Sequence, residues 1–279
     1  MYEGFYGLGE KPFALTPDPS FIYLSERHAA ALTALEYGFA TQAAIILITG
    51  EVGCGKTTLV RHLANGLDGL DNVGFVSNAT SSLTSLPRWI CRAFGLPAPA
   101  GADASELYEA FADFVADKAQ AGGRVVLIVD EAQNLSREAL EQLRTLSNLN
   151  LAKEPALQTV LVGQVELEAQ LAHRELRQLV QRISIHYRLD RLRLGETIGY
   201  INHRLRVAGA RVPIFDDYAS AAVHHLAAGI PRLVNTLCDR ALVHGYAEDL
   251  PAIGLATVLE VRDEIKRSGF NLLAAGQRK

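Results

Sequence analysis

The chain has 279 residues, 49% hydrophobic and 21% charged, with a net charge of −4. That length allows one large α/β unit, or one such unit with a small companion, and the composition excludes a disordered or fibrous chain. No apolar run approaches the roughly 18–20 residues that cross a bilayer, and MYEGFYGLGEKPF lacks a basic start leading into an apolar stretch, so a cytoplasmic protein without a membrane span is expected.

Apolar runs bounded by turn signals recur at Ala44–Thr49, Val73–Ser77, Val125–Val129, Thr159–Val162 and Ile183–Leu189. Between them, Thr57–Gly66, Leu83–Phe94, Ser105–Ala121 and Ser136–Leu149 repeat apolar residues at three and four, with Ser136 placed to start its helix. That alternation predicts a parallel sheet with crossover helices. PAPAGA at Pro97–Ala102 predicts an exposed loop, and Trp89 falls on an apolar helix face as a core residue. Beyond Leu194 the strand-like runs stop, and Glu196–Ala208, Asp216–Ala228, Pro231–Tyr246 and Ile253–Lys266 predict helices. The domains expected are an α/β core over 1–194, a helical domain over 195–270 and a tail over 271–279. Cys54, Cys91 and Cys238 form no CxxC pair and read as reduced thiols, the last two as apolar filler. His173, His186, His224 and His225 show no metal-ligand spacing and read as structural or exposed. The part up to Gly195 carries net −5 and the rest net +1, so nucleic acid could be met only by a local patch.

The most informative stretch is IILITGEVGCGKTTL, in which Gly50, Gly55, Lys56 and Thr57 satisfy G-x-x-x-x-G-K-[ST] between an apolar strand and a helix pattern. Over Gly50, Glu51, Val52, Gly53, Cys54, Gly55, Lys56, Thr57 and Thr58, backbone N–H groups can turn inward around phosphates. The helix start adds its positive dipole end, Lys56 a cation, and the Thr57 hydroxyl a ligand for Mg²⁺. Downstream, RVVLIVDEAQNL ends an apolar strand in Asp130 and Glu131. Asp130 would hold Mg²⁺ through its water shell, and Glu131 would orient or deprotonate the water attacking a γ-phosphate. The run Val73–Ser77 lies between these motifs in the chain, implying that another strand separates the two motif strands in the sheet. No NKxD-like guanine-reading motif occurs, which points to ATP.

Taken with FYGLGEKPFALTPDPSFIYLSERHAAALTALEYGF, LVGQVELEAQL, LVQRISIHYRLDRL and GIPRLVNTLCDRALV, these motifs give a chain that resembles the ExeA/GspA-type AAA+ ATPases from about Phe5 to about Phe270. That family serves type II secretion, mannose-sensitive pilus assembly (MshM-like) and exosortase-associated polysaccharide loci. The similar TniB/TnsC/MuB-like group regulates DNA transposition. The resemblance implies an AAA+ P-loop NTPase αβα sandwich with a five-stranded parallel sheet and a small helical lid, with ATP and Mg²⁺ as cofactors. It also implies a homo-oligomeric ring or filament.

The resemblance adds four positions. Asn78 is similar to the polar residue that restrains the catalytic Glu, or is a turn Asn. Gln164 sits where sensor 1 would meet the γ-phosphate or the attacking water, or is a surface Gln. Arg232 in GIPR matches the sensor 2 arginine that reaches bound phosphates from the lid. Arg182 in LVQRI matches the arginine finger inserted into a neighbour's ATP, with Arg177 as competitor. The surrounding Arg174, Arg188, Arg191 and Arg193 read as a solvated face, an interface or a DNA backbone track. Cys54 departs from the usual small hydroxyl residue, and Val165 from the common Pro. The chain ends shortly after the lid, so no cell-wall-directed part is expected.

Three functions follow as expectations: an ATPase assembling a secretion, pilus or polysaccharide-export apparatus through protein partners; a DNA-binding ATPase recruiting a transposase on duplex DNA; or a nucleotide-binding scaffold that hydrolyses little.

Overall fold

The computed structural model describes residues 1–16, 18–66, 72–77, 85–151 and 154–267. The predicted tail, Asn78 and Leu83 lie outside the described residues. The chain divides into two compact units, one formed by Ala30–Glu51 and Val60–Leu189, the other by Met1–Ala29, Val52–Leu59 and the chain from Asp190 on.

The first unit is built on a parallel five-stranded sheet of β1 (Ile45–Gly50), β2 (Val73–Val76), β3 (Val125–Val129), β4 (Leu157–Gly163) and β5 (Ile183–Leu189), in the order β2-β3-β4-β1-β5. Every residue of β1, β3 and β4 is buried, whereas β5 alternates. Strands covered on both faces favour apolar side chains at most positions, which is why the central three read as near-continuous runs, with Thr49, Gln158 and Thr159 as the buried polar exceptions. A strand does separate the two motif strands, but it is β4, and Val73–Val76 lies at the far edge. Pairing of Leu47 and Val129 with Leu161 brings the carboxyl ends of β1, β4 and β3 out together on one sheet edge.

Helices cover both faces. On one, α1 (Glu26–Ala40), which the sequence reading did not anticipate, approaches so closely that a Cβ on Gly38 would lie 2.5 Å from Ile46 Cδ1. On the other, α3 (Ser85–Ala93), α4 (Ala104–Gln120) and α5 (Arg137–Leu146) pack Leu86, Ile90, Phe111 and Leu143 against Leu47, Leu127 and Val129. Between them in the chain, α2 (Lys56–Gly66) follows the glycine-rich loop. Asp103 caps α4 in a reciprocal box with Glu106, and Ser136 Oγ accepts from Ala139 N at 3.2 Å to start α5, as its position predicts. Trp89 departs from expectation: it is 37% exposed, with the Arg92 guanidinium 5.7 Å from its ring, because α3 turns Leu86, Ile90 and Cys91 inward instead. All three cysteines are buried free thiols. After β4 comes the short α6 (Glu166–Leu171), followed before β5 by a single helical turn at Arg177–Val180.

The second unit gathers α7 (Leu194–Val207), α8 (Asp217–Ala227), α9 (Pro231–Ala247) and α10 (Leu255–Arg267). The N-terminal segment, which the sequence reading grouped with the sheet, packs among these helices. Tyr2, Leu8, Phe13 and Phe21 share one buried cluster with Tyr200, Ile201, Leu205 and Leu237. Tyr2 Oη donates to Asp239 Oδ1 at 2.6 Å, and Gly9 N to Ala208 O at 2.7 Å. The buried Arg204 guanidinium donates to Pro12 O and to Tyr200 Oη and lies 4.7 Å from the Phe21 ring. An aromatic-rich segment supplies apolar area that four short helices lack, at roughly 1.5–3 kcal/mol per large buried side chain. Among the described residues no helix is long and apolar enough to cross a membrane.

Phe13 is 1% exposed and meets Phe215 edge-on. Phe13→Ala is therefore expected to cost about 3–5 kcal/mol in urea unfolding. A change near zero would mean that the N-terminal segment is a loose leader.

Candidate nucleotide site

The glycine-rich loop leaves β1 at Gly50 and ends in the first turn of α2, whose leading N–H groups have no intrahelical partner. Two of its glycines are required by contacts within the helical unit. Gly53 has φ +80°, and a Cβ there would lie 2.6 Å from Arg232 Cβ; Gly55 has φ +98°, and its Cβ would lie 3.0 Å from His28 Nε2. The loop carbonyls are engaged by the same neighbours. Arg232 N, in the first turn of α9, donates to Gly53 O at 3.2 Å, and His28 Nε2 lies 3.0 Å from Cys54 O. Cys54 is fully buried and takes part through its backbone, so the missing hydroxyl leaves these contacts intact. Lys56 is buried, Thr57 and Thr58 are half-buried, and Val52 is exposed.

His28 and its partner Ser25 were not singled out by the sequence. Ser25 Oγ lies 2.8 Å from His28 Nδ1 and accepts from His28 N at 3.3 Å. Burial pushes the imidazole below its usual pKa, so it is held neutral. The only sequence cue was a serine three residues before a histidine at a helix start, and its target is a main-chain carbonyl.

At the sheet edge, Asp130 is buried, its N–H donating to Val76 O at 2.8 Å and its Oδ1 accepting from Glu131 N at 2.9 Å. Glu131 takes the left-handed conformation, φ 54° and ψ 38°. For a non-glycine residue this costs of order 1–3 kcal/mol and persists only where surroundings enforce it. Two amides hold its carboxylate: Gln133 Nε2 donates to Glu131 Oε2 at 2.5 Å and Gln164 Nε2 to the same oxygen at 3.1 Å. Gln164 N in turn donates to Gln133 Oε1 at 3.0 Å, and Gln170 Nε2 to Gln133 O at 2.9 Å. Gln164 is thus placed against Glu131, and Gln133, absent from the sequence reading, completes the cluster.

The arginines separate. Arg232 is exposed at the start of α9, after the Gly229–Pro231 turn. Arg182 and Arg177 are exposed on the sheet unit just before β5, and Arg182 Nη2 donates to Asn148 Oδ1 at 2.5 Å. Among the histidines, His186 meets Thr49 Oγ1 at 2.9 Å and His224 meets Thr197 Oγ1 at 2.8 Å.

A family model described as an AAA domain matches residues 40–171. General secretion pathway protein A of Aeromonas hydrophila is 42% identical over 247 residues, covering 88% of this chain and 45% of that protein. The chain therefore spans less than half the length of this curated relative. Among solved structures, the Aeropyrum pernix ORC2 protein in its ADPNP–ADP complexes aligns over 91% of this chain and 71% of its own, at 18% identity and a TM-score of 0.69. The Thermotoga maritima RuvB Holliday junction branch migration motor aligns over 86% and 69%, at 19% identity and a TM-score of 0.56. These two likenesses are of fold. The parallel sheet, the glycine-rich loop and the matched domain define an AAA+ P-loop module. Within that class, the likeness to general secretion pathway protein A agrees with the resemblance to the ExeA/GspA-type AAA+ ATPases that the motifs carry.

Gly53→Ala forces a methyl group into Arg232 at a φ that L residues rarely adopt. It is expected to lower stability by about 1–3 kcal/mol in thermal unfolding without any nucleotide. Unchanged melting would show that the loop does not need this glycine.

Proposed function

We propose that this chain binds ATP with Mg²⁺ and hydrolyses it in a homo-oligomer, and that this cycle drives assembly of a secretion, pilus or polysaccharide-export apparatus in the cytoplasm. One observation carries the reading: β1, β4 and β3 are adjacent and parallel, so the loop, Gln164 and the Asp130–Glu131 pair leave the same sheet edge. Open α/β sheets place ligands at such carboxyl ends.

In this reading the N–H groups of Gly50 to Thr58 cradle the phosphates, with Lys56 and the α2 N-terminus opposing their charge. The Thr57 hydroxyl and the buried Asp130 carboxylate offer the hard oxygen donors that suit Mg²⁺, which when bound would neutralise charge on the phosphate oxygens. Glu131 accepts a proton from the attacking water as its oxygen bonds to the γ-phosphorus and the bond to ADP breaks. Gln133 and Gln164 hold the Glu131 carboxylate for that step, and Gln164 also reaches the γ-phosphate or the water. Arg232 reaches the phosphates from its helix. Asn78 retains the restraining role that the family resemblance implies. A second copy supplies Arg182, with Arg177 as the other candidate, and the arginine-rich stretch around them faces that copy.

The ATPase rate and oligomer mass, measured with and without duplex DNA, test the reading. Turnover that climbs with protein concentration and ignores DNA is expected; turnover that requires DNA would favour the transposition role. Glu131→Gln should keep ATP binding, lower kcat by about 10²–10⁴-fold and trap an ATP-bound oligomer. Undiminished turnover in that variant would remove Glu131 from the chemistry. Arg182→Ala should abolish the concentration-dependent part, a loss of about 10³–10⁵-fold. If Arg177→Ala does so instead, the finger is Arg177.

A further inference from the structure

A peptide unit is planar and trans, so its C=O and N–H point in opposite directions. Fixing the carbonyl from one side therefore aims the next residue's N–H to the other. In the glycine-rich loop two successive carbonyls are fixed in this way within the helical unit, Gly53 O by Arg232 N at 3.2 Å and Cys54 O by His28 Nε2 at 3.0 Å. The N–H groups opposite them are those of Cys54 and Gly55. The first anchor is a backbone amide and survives any side-chain change at position 232. The second depends on one imidazole.

That imidazole has a fixed hydrogen-bonding sense. Cys54 O can only accept, so Nε2 carries the proton, and Nδ1 accepts from the Ser25 hydroxyl at 2.8 Å. Ser25 Oγ is itself oriented, because it accepts from His28 N at 3.3 Å. Ser25 is 2% and His28 7% exposed, so water does not compete for these groups. Burial also favours the neutral ring, the form this arrangement needs. The Cβ that Gly55 lacks would stand 3.0 Å from Nε2, so the loop and the ring are fitted to one another.

We propose that His28, held in one tautomer by Ser25, is a positioning residue of the phosphate loop: by holding the Cys54 carbonyl it turns the Gly55 N–H toward the phosphates. This rests on the nucleotide-binding reading above. It assigns to the N-terminal segment, and not only to the loop and the sheet, a share in binding.

The test compares His28→Phe, which keeps an aromatic ring and loses the donor, with His28→Gln, whose amide can place an N–H near the Nε2 position, and with Ser25→Ala. The first readout needs no nucleotide: the Cys54 carbonyl ¹³C and Gly55 amide resonances of the full chain. Both should move in His28→Phe and return toward the parent in His28→Gln. The second is ATP affinity by fluorescence titration, expected to fall roughly tenfold in His28→Phe, the scale of one hydrogen bond, and to stay within about threefold of the parent in His28→Gln. Ser25→Ala should fall between them and carries the test if the phenylalanine variant does not fold. Unmoved resonances, or equal affinity for the parent and both donor-deficient variants, would overturn the proposal. So would a glutamine variant as weak as the phenylalanine one. If the resonances respond but the parent does not bind ATP, the anchor stands as a structural contact, while its role in positioning phosphate and the nucleotide reading both fall.

Discussion

A loop can offer backbone N–H groups to an anion only if its carbonyls find partners on the other side. Each peptide that turns a donor inward turns an acceptor outward, and a buried acceptor left unpaired costs about 1–3 kcal/mol. The glycine-rich loop meets this constraint with donors from two distant parts of the chain, the α9 amide of Arg232 and the imidazole of His28. Two other features serve the same end. Gly53 and Gly55 lack side chains because those donors stand where a Cβ would be, and the N-terminal segment packs among the C-terminal helices that carry one of them.

The sheet edge shows a second form of the same economy. Glu131 occupies a backbone conformation that side chains resist, and two glutamine amides hold its carboxylate from neighbouring segments. A carboxylate held by two amides from different segments loses its rotational freedom.

How much of this was legible in the sequence follows from where each signal is stored. The five strands could be read because side chains carry burial: β1, β3 and β4 are buried throughout and mostly apolar, and β5 alternates. The loop and the Asp130–Glu131 pair could be picked out because residue type and spacing mark both patterns in the chain itself. Strand order was only half legible, since the run Val73–Ser77 suggested a separating strand and β4 turned out to fill that place; order is set by crossovers that leave no mark on the strands themselves. α1 was missed because Gly38 interrupts the buried face formed by Ala31, Leu35 and Phe39, and the glycine is there for close approach to Ile46. His28 was invisible for a deeper reason: its partner is a carbonyl, and every residue has one. Gln133 was hidden by proximity, an amide two positions beyond the acid it holds, in a stretch where the acids drew the attention. Trp89 was misread because an aromatic near apolar residues on a helix can also lie just outside the stripe that is buried.

The union of residues 1–29 with the chain from Asp190 on in one helical unit also imposes an order on biosynthesis. Pro12 offers its carbonyl to Arg204, and Tyr2 its hydroxyl to Asp239, so the N-terminal segment must wait for residues made much later. At roughly 5–20 residues per second, the ribosome keeps Phe13 and Phe21 without their partners for some tens of seconds. Throughout that interval a cluster of aromatic rings trails from the nascent chain beside a sheet that can already form, a ready target for chaperones.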